Sequence, residues 1–361
     1  MRARLELTGI TCHNPEDRFE ADLFYLAGGV IIDQHRAPVL LSPIGMRAGQ
    51  FRIPWPNQSV ILDTDISSPG AEISIGLTAW DRDLAASWGV YDLWLDQLAT
   101  GLAGVNLALG GDPRNAEIIH KVKKVVSVLA SIDVDDNLGD HTNTLQVAGA
   151  PVQETQASFH GRSATGTWSY TLTYRLTMPD LVPAGLVPRH GGGIQLMHHI
   201  STRLLHSHPA AYQHPGTSGQ QQVTGYEGLD DNNWWTVHAP HGHIDTPGEP
   251  IHHGQIIRLQ HAITGRNLHS HRGLPSPVTN QQEVTCFGDS GNGDANDNWR
   301  VEVEGGGLLE SPKLFRLVHE HTGVALHSHH GYTSAVMGHQ QEVTGYPSRD
   351  GNDFWRVFQT S

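Results

Sequence analysis

The chain has 361 residues, with 23 Lys and Arg against 37 Asp and Glu and a formal net charge of −14 at pH 7. So acidic a balance lacks the basic footprint that nucleic acid or an anionic membrane surface demands, and no apolar run approaches the roughly 18 residues of a transmembrane helix. The length accommodates two domains with separate cores, and Cys12 and Cys286 fall in different halves, as expected of two reduced thiols rather than a disulfide framework.

Residues 3–11 alternate apolar and polar side chains, which is the period of a half-buried strand. No apolar h-region or small-residue cleavage site precedes them, so the expectation is cytoplasmic synthesis without a classical signal peptide, with any export by a non-classical route. A polar loop at 12–21 leads into a strand over 22–32. Residues 38–56, rich in proline, read as loop with short edge strands, and 60–62 and 72–80 as strands of an antiparallel sheet. The period then changes. Residues 84–109 place apolar side chains at helical intervals, Gly110-Gly111 makes a turn, and Asp112-Pro113 is a helix start for a second helix to about 131. This amphipathic hairpin is predicted to rest on the sheet or to mediate assembly. Strands near 144–147 and over 168–178 complete six or more, a number suited to an antiparallel β-sandwich.

Aspartates gather on the predicted loops of this half: Asp17 and Asp22, Asp81 and Asp83, Asp135 and Asp136. Calcium takes six to eight hard oxygen ligands, the kind such loops supply; turn and helix capping is the competing role for the same residues. Asp81-Arg82-Asp83 after one strand, Asp136-Asn137-Leu138-Gly139 before the next, and two early aspartates together resemble a C2 domain. That resemblance implies calcium held by Asp17, Asp22, Asp81, Asp83 and Asp136. The departure is an insertion of about fifty residues between the two halves of the loop. No organic cofactor is expected.

A Pro- and Gly-rich stretch at 181–193 is predicted to link residues 1–180 to a second domain, 194–361, built from three copies of one unit. Leu-His-Ser-His occurs at 205–208, 268–271 and 326–329, and each copy closes a fifteen-residue block that overlays the others without a gap. Gln-Gln-x-Val-Thr follows in each, and then Trp-x-Val at 235–237, 299–301 and 355–357. Four short alternating runs per copy make twelve strands. A sixty-residue unit cannot bury both faces alone, so the copies must share a core, in a β-trefoil or, with the same count, a three-bladed propeller. Leu-His-Ser-His, Gln-Gln-x-Val-Thr and Asn/Asp-x-x-Trp-x-Val in all three copies resemble the MIR domain of protein O-mannosyltransferases and inositol trisphosphate receptors. The resemblance covers about the last 170 residues and implies a β-trefoil that binds or assembles.

Histidine is the compositional outlier, with 25 in the chain and most of them beyond residue 189. The pairs His206 and His208, His269 and His271, and His327 and His329 stand two apart on a strand and so leave one face together. With His198, His261 and His319 nearby they could ligate a metal; as framework they would hydrogen-bond neighbouring glutamines, threonines or carbonyls. If they are buried and neutral, acid near pH 5 is predicted to remodel this half. Trp234, Tyr226, Tyr332 and Tyr346 are the candidate aromatic contacts for a glycan. No nucleophile elbow, Walker loop or His-Glu-x-x-His occurs, and Ser207, Ser270 and Ser328, being triplicated, point away from a unique nucleophile. The reading is a non-catalytic binding protein for a glycan or protein partner. The alternative is a self-assembling structural subunit of a filament, phage-like particle or export apparatus.

Overall fold

A computed structural model describes residues 1–15, 22–32, 35–52, 54, 59–66, 72–81, 136–147, 150–162, 167–289 and 292–361. Two compact units divide the chain, Met1–Leu181 and Val182–Ser361. The described residues are mainly strand, as expected. The predicted helical hairpin at 84–131 lies outside them.

The first unit is a β-sandwich. One antiparallel sheet holds β1 (Arg2–Asn14), β4 (Gln50–Arg52), β5 (Val60–Asp65), β8 (Val152–Arg162) and β9 (Thr167–Thr177); the other has the order β3 (His35–Met46), β2 (Asp22–Ile32), β6 (Glu72–Asp81), β7 (Asp136–Gln146). Strand alternation builds the core. Every second residue of β9 from Trp168 to Leu176 is buried and meets Leu5, Leu26, Ile75 and their neighbours in one apolar cluster drawn from both sheets. Phe24 and Tyr170, from opposite sheets, lie with ring centroids 4.9 Å apart.

Three elements differ from the sequence reading. The proline-rich stretch is a twelve-residue strand, β3, and it stands at the edge of its sheet, where Pro38 and Pro43 can lack an N–H without breaking an internal ladder. Residues 136–139, read as loop, begin β7, with Asp136 opposite Asp81. Strand β8 was not anticipated because only Ala157 and Phe159 along it are buried, too few apolar positions to mark an alternation.

In the second unit all twelve expected strands are present. Those opening and closing each repeat are β10 (Gly193–His198), β13 (Trp235–His238), β14 (Ile256–His261), β17 (Trp299–Val303), β18 (Phe315–His319) and β21 (Trp355–Thr360). They pair successively, and β21 returns to β10, closing a six-stranded barrel. Three hairpins cap it: β11 (Leu204–Ala211) with β12 (Gln221–Tyr226), β15 (Asn267–Pro275) with β16 (Gln282–Phe287), and β19 (Ala325–Thr333) with β20 (Gln341–Tyr346). Strands β12, β16 and β20 pair with one another around the axis. This is the β-trefoil, and the propeller alternative falls away. Trp235, Trp299 and Trp355 sit fully buried in its core, each indole N–H donating to the carbonyl of the Leu-His-Ser-His leucine at 2.9 Å. The stretch expected as a linker is divided: Leu181 ends the first unit, whereas Gly185 and His190 donate backbone N–H groups to Ser311 and Glu249 of the trefoil.

Candidate functional site

Each lobe of the trefoil places one buried histidine ring between an aromatic ring and a short 3₁₀ turn. The turns, Asp231–Asn233, Ala295–Asp297 and Gly351–Asp353, are capped by Asp230, Asp294 and Asp350, whose side chains accept the N–H two residues on. Such caps satisfy N–H groups that a turn leaves free. In the second and third lobes Asp297 and Asp353 complete a capping box with their second oxygen. Their first oxygen accepts from His269 Nδ1 at 2.8 Å and from His327 Nδ1 at 2.9 Å. In the first lobe Asn233 Oδ1 takes that place, 2.9 Å from His206 Nδ1.

The aromatic side of each ring is equally regular. Tyr226 lies over His206 with centroids 4.6 Å apart, Phe287 over His269 at 4.8 Å and Tyr346 over His327 at 4.7 Å. Each aromatic comes from the end of β12, β16 or β20, opposite the start of its hairpin partner. Tyr226 and Tyr346 are half-buried and Phe287 is 36% exposed.

The two histidines of each Leu-His-Ser-His differ. His206, His269 and His327 are buried, together with the leucine and serine, whereas His208 is half-buried and His271 and His329 are exposed. Both rings do leave one face: His206 and His208 meet edge to face with centroids 5.5 Å apart. The buried member belongs to the frame of the lobe; the outer one faces solvent. Tyr332 is 44% exposed and lies 4.9 Å from the His329 ring. Trp234 stands apart from these clusters, half-buried, its backbone carbonyl accepting from Ala262.

Ser207, Ser270 and Ser328 are buried, and each hydroxyl donates to a backbone carbonyl, of Gln222, Glu283 and Glu342, at 2.6 to 2.8 Å. Each also accepts from a glutamine amide, that of Gln221, Gln282 or Gln341. A serine held this way has neither exposure nor a free proton to act as nucleophile.

The same glutamines open a relay between lobes. Gln221 Nε2 donates to Thr264, Gln282 to Thr322 and Gln341 to Ser201. Those hydroxyls lie 2.7 to 2.9 Å from Nδ1 of His261, His319 and His198. The far nitrogen, Nε2, then donates to the carbonyls of Asn232, Asn296 and Asn352, each in the preceding lobe. Burial pushes these three imidazoles down, His198 to about 3 and His261 and His319 to about 4, against the smaller upward pull of the carbonyls. Burial also lowers His206 and His208. The sequence indicated a glutamine, a threonine or a carbonyl of the same lobe as histidine partners; that the carbonyl belongs to the preceding lobe was invisible because the chain does not show which copies touch.

The predicted calcium ligands are placed less favourably. Asp22 is buried and accepts the Tyr170 hydroxyl, and Asp81 Oδ1 accepts the Leu23 N–H at 2.7 Å, so both serve the sandwich frame. Asp17 and Asp83 lie outside the described residues, and Asp136 is described in its backbone only. The acidic residues sequence reasoning passed over are Asp230, Asp294, Asp297, Asp350 and Asp353. Their signal was present as Asp-x-x-Asp before each closing tryptophan of the second and third copies, the spacing of a capping box.

Residues 198–304 match the MIR domain family model. The stromal cell-derived factor 2-like protein of Dictyostelium discoideum is 39% identical over 172 residues, which are 46% of this chain and 80% of that protein. The corresponding protein of Arabidopsis thaliana is 38% identical over 173 residues, 47% of this chain and 78% of its own length. The crystal structure of the SDF2-like protein from Arabidopsis thaliana aligns with a TM-score of 0.46 and 36% identity, covering 49% of this chain and 97% of that one. These relatives overturn the expectation of cytoplasmic synthesis without a signal peptide, since stromal cell-derived factor 2-like proteins are lumenal proteins of the endoplasmic reticulum that carry one. No helix among the described residues is long and apolar enough to cross a membrane. With three repeats matched in sequence and folded as a trefoil, the chain belongs to the MIR domain family.

Proposed function

We propose that this chain is a non-catalytic binding protein whose trefoil recognises a glycan at its lobes. One observation carries the reading: each lobe repeats the same partly open edge, an aromatic ring beside a capping aspartate and an outer imidazole. Asp230, Asp294 and Asp350 keep side-chain exposures of 41%, 47% and 42%. Sugars combine apolar C–H faces with hydroxyl groups, and an aromatic platform flanked by hydrogen-bond acceptors matches both. The serines beside the histidines, buried and doubly hydrogen-bonded, support binding without turnover. Tyr332, exposed against His329, would widen the third lobe.

The test is a glycan array probed with the full chain, followed by titration of the best ligand. Replacing Tyr226, Phe287 and Tyr346 together by alanine should weaken binding by roughly tenfold or more, given about 0.5–1.5 kcal/mol per aromatic contact. Binding unchanged in the triple variant would remove these lobe edges as the glycan site, and an array without retained glycans while a protein partner is captured through the same residues would replace the glycan with a protein ligand.

A further inference from the structure

The geometry points to a divalent transition-metal site in the second and third lobes and to its absence from the first. The inference does not depend on the glycan reading. In the second lobe His269 Nδ1, Asp297 and Asp294 bring their ligating atoms within 4.8 Å of one another, and in the third His327, Asp353 and Asp350 do the same. His269 Nδ1 lies 2.8 Å from Asp297 and 3.9 Å from Asp294; His327 Nδ1 lies 2.9 Å from Asp353 and 3.7 Å from Asp350. Zinc with nitrogen and oxygen ligands at about 2.0–2.2 Å in a tetrahedron needs those atoms roughly 3.3 Å apart. One contact must open and the other close by about half an ångström, within the reach of side-chain rotation.

Ligand chemistry selects the metal. An imidazole with two carboxylates and no thiolate suits zinc or a similar borderline ion, whereas calcium prefers an all-oxygen shell. The buried carboxylates are already oriented: the second oxygen of Asp297 accepts the Asp294 N–H at 2.9 Å, and that of Asp353 the Asp350 N–H at 2.8 Å. Such fixing of a ligand by its neighbours is what outer-shell contacts provide in metal sites. Asp294 and Asp350 are the solvent-facing members and give the ion its path. The outer imidazoles His271 and His329 are exposed, and at two residues along a strand they leave the same face as the buried histidines.

The first lobe is the internal control. It keeps His206 and Asp230, 3.6 Å apart, but Asn233 replaces the buried carboxylate. The neutral amide oxygen keeps the hydrogen bond to the imidazole, and the turn keeps its Asp230 cap, but an amide binds zinc poorly.

The full chain, free of any histidine tag and stripped with EDTA, is titrated with zinc chloride by calorimetry. Two equivalents are expected, falling to one in D297N and one in D353N and rising to three in N233D. The asparagine variants copy the first lobe, and N233D reads a gain that misfolding cannot imitate. Absence of binding heat, or a stoichiometry unchanged in all three variants because scattered surface histidines hold the zinc, would overturn the proposal.

Discussion

The turn that follows the first strand of each repeat shows how far a single residue can be judged against its copies. Its fifth position has a left-handed backbone in all three lobes, and its N–H donates to the carbonyl of His198, His261 or His319 at 2.8 to 2.9 Å. Lobes two and three use Gly265 and Gly323, at φ of 67° and 76°; lobe one uses Thr202 at 59°. A β-branched side chain there is strained by about 1–2 kcal/mol. Thr202→Gly is therefore expected to stabilise the protein by about 1 kcal/mol in urea denaturation, despite the freedom glycine adds to the unfolded chain. The left-handed position was readable only as a glycine in two copies; the strain in the third needed the backbone. Likewise the sequence put both Leu-His-Ser-His rings on one face, which is so, but not that one is walled in and the other left outside.

At the scale of elements, the strands of the trefoil were legible because each alternates over a face with a single core beneath it, and three copies repeat the pattern. The sandwich was less so. Strand β8 exposes most of one face and β3 carries prolines that its edge position tolerates, so neither shows the clean alternation of an internal strand. Besides the pairing of β12, β16 and β20, one glutamine amide ties each hairpin to the following lobe; Gln282 donates to Ser270 at 2.7 Å and Thr322 at 3.0 Å. Gln282→Ala leaves the buried Ser270 hydroxyl and the half-buried Thr322 hydroxyl short of a donor and is expected to cost about 1–3 kcal/mol. The unfolding midpoint in urea should drop with the slope unchanged.

For the whole molecule the three relay histidines act together. Each is fully buried, and each has a folded-state value below that of an unfolded histidine, about 6.5, so protonation favours the unfolded chain. Their contribution is complete above pH 6.5 and is lost as the pH falls from there towards about 4. Linkage gives about 1.4 kcal/mol per pH unit for each group in that window, so at pH 5 the three together remove up to about 6 kcal/mol. The melting temperature, followed by tryptophan fluorescence, should fall clearly between pH 7.5 and pH 5, and His261→Gln should flatten about a third of that slope. Equal melting temperatures at the two pH values would show that these rings are not held neutral. The sequence reading tied the expected acid sensitivity to Leu-His-Ser-His; the rings that burial pushes down furthest are instead those at the end of each opening strand.

Those same histidines form a cycle: each reaches a carbonyl in the lobe before it, and His198 of the first reaches Asn352 of the last. Gly193 and Ser361 exchange backbone and hydroxyl hydrogen bonds at the seam, so the first and last strands meet like any other neighbouring pair. The trefoil is in this sense a ring without a mechanical beginning. A circularly permuted trefoil, with Gly193 joined to Ser361 and cut between any two lobes, would inherit the same set of contacts.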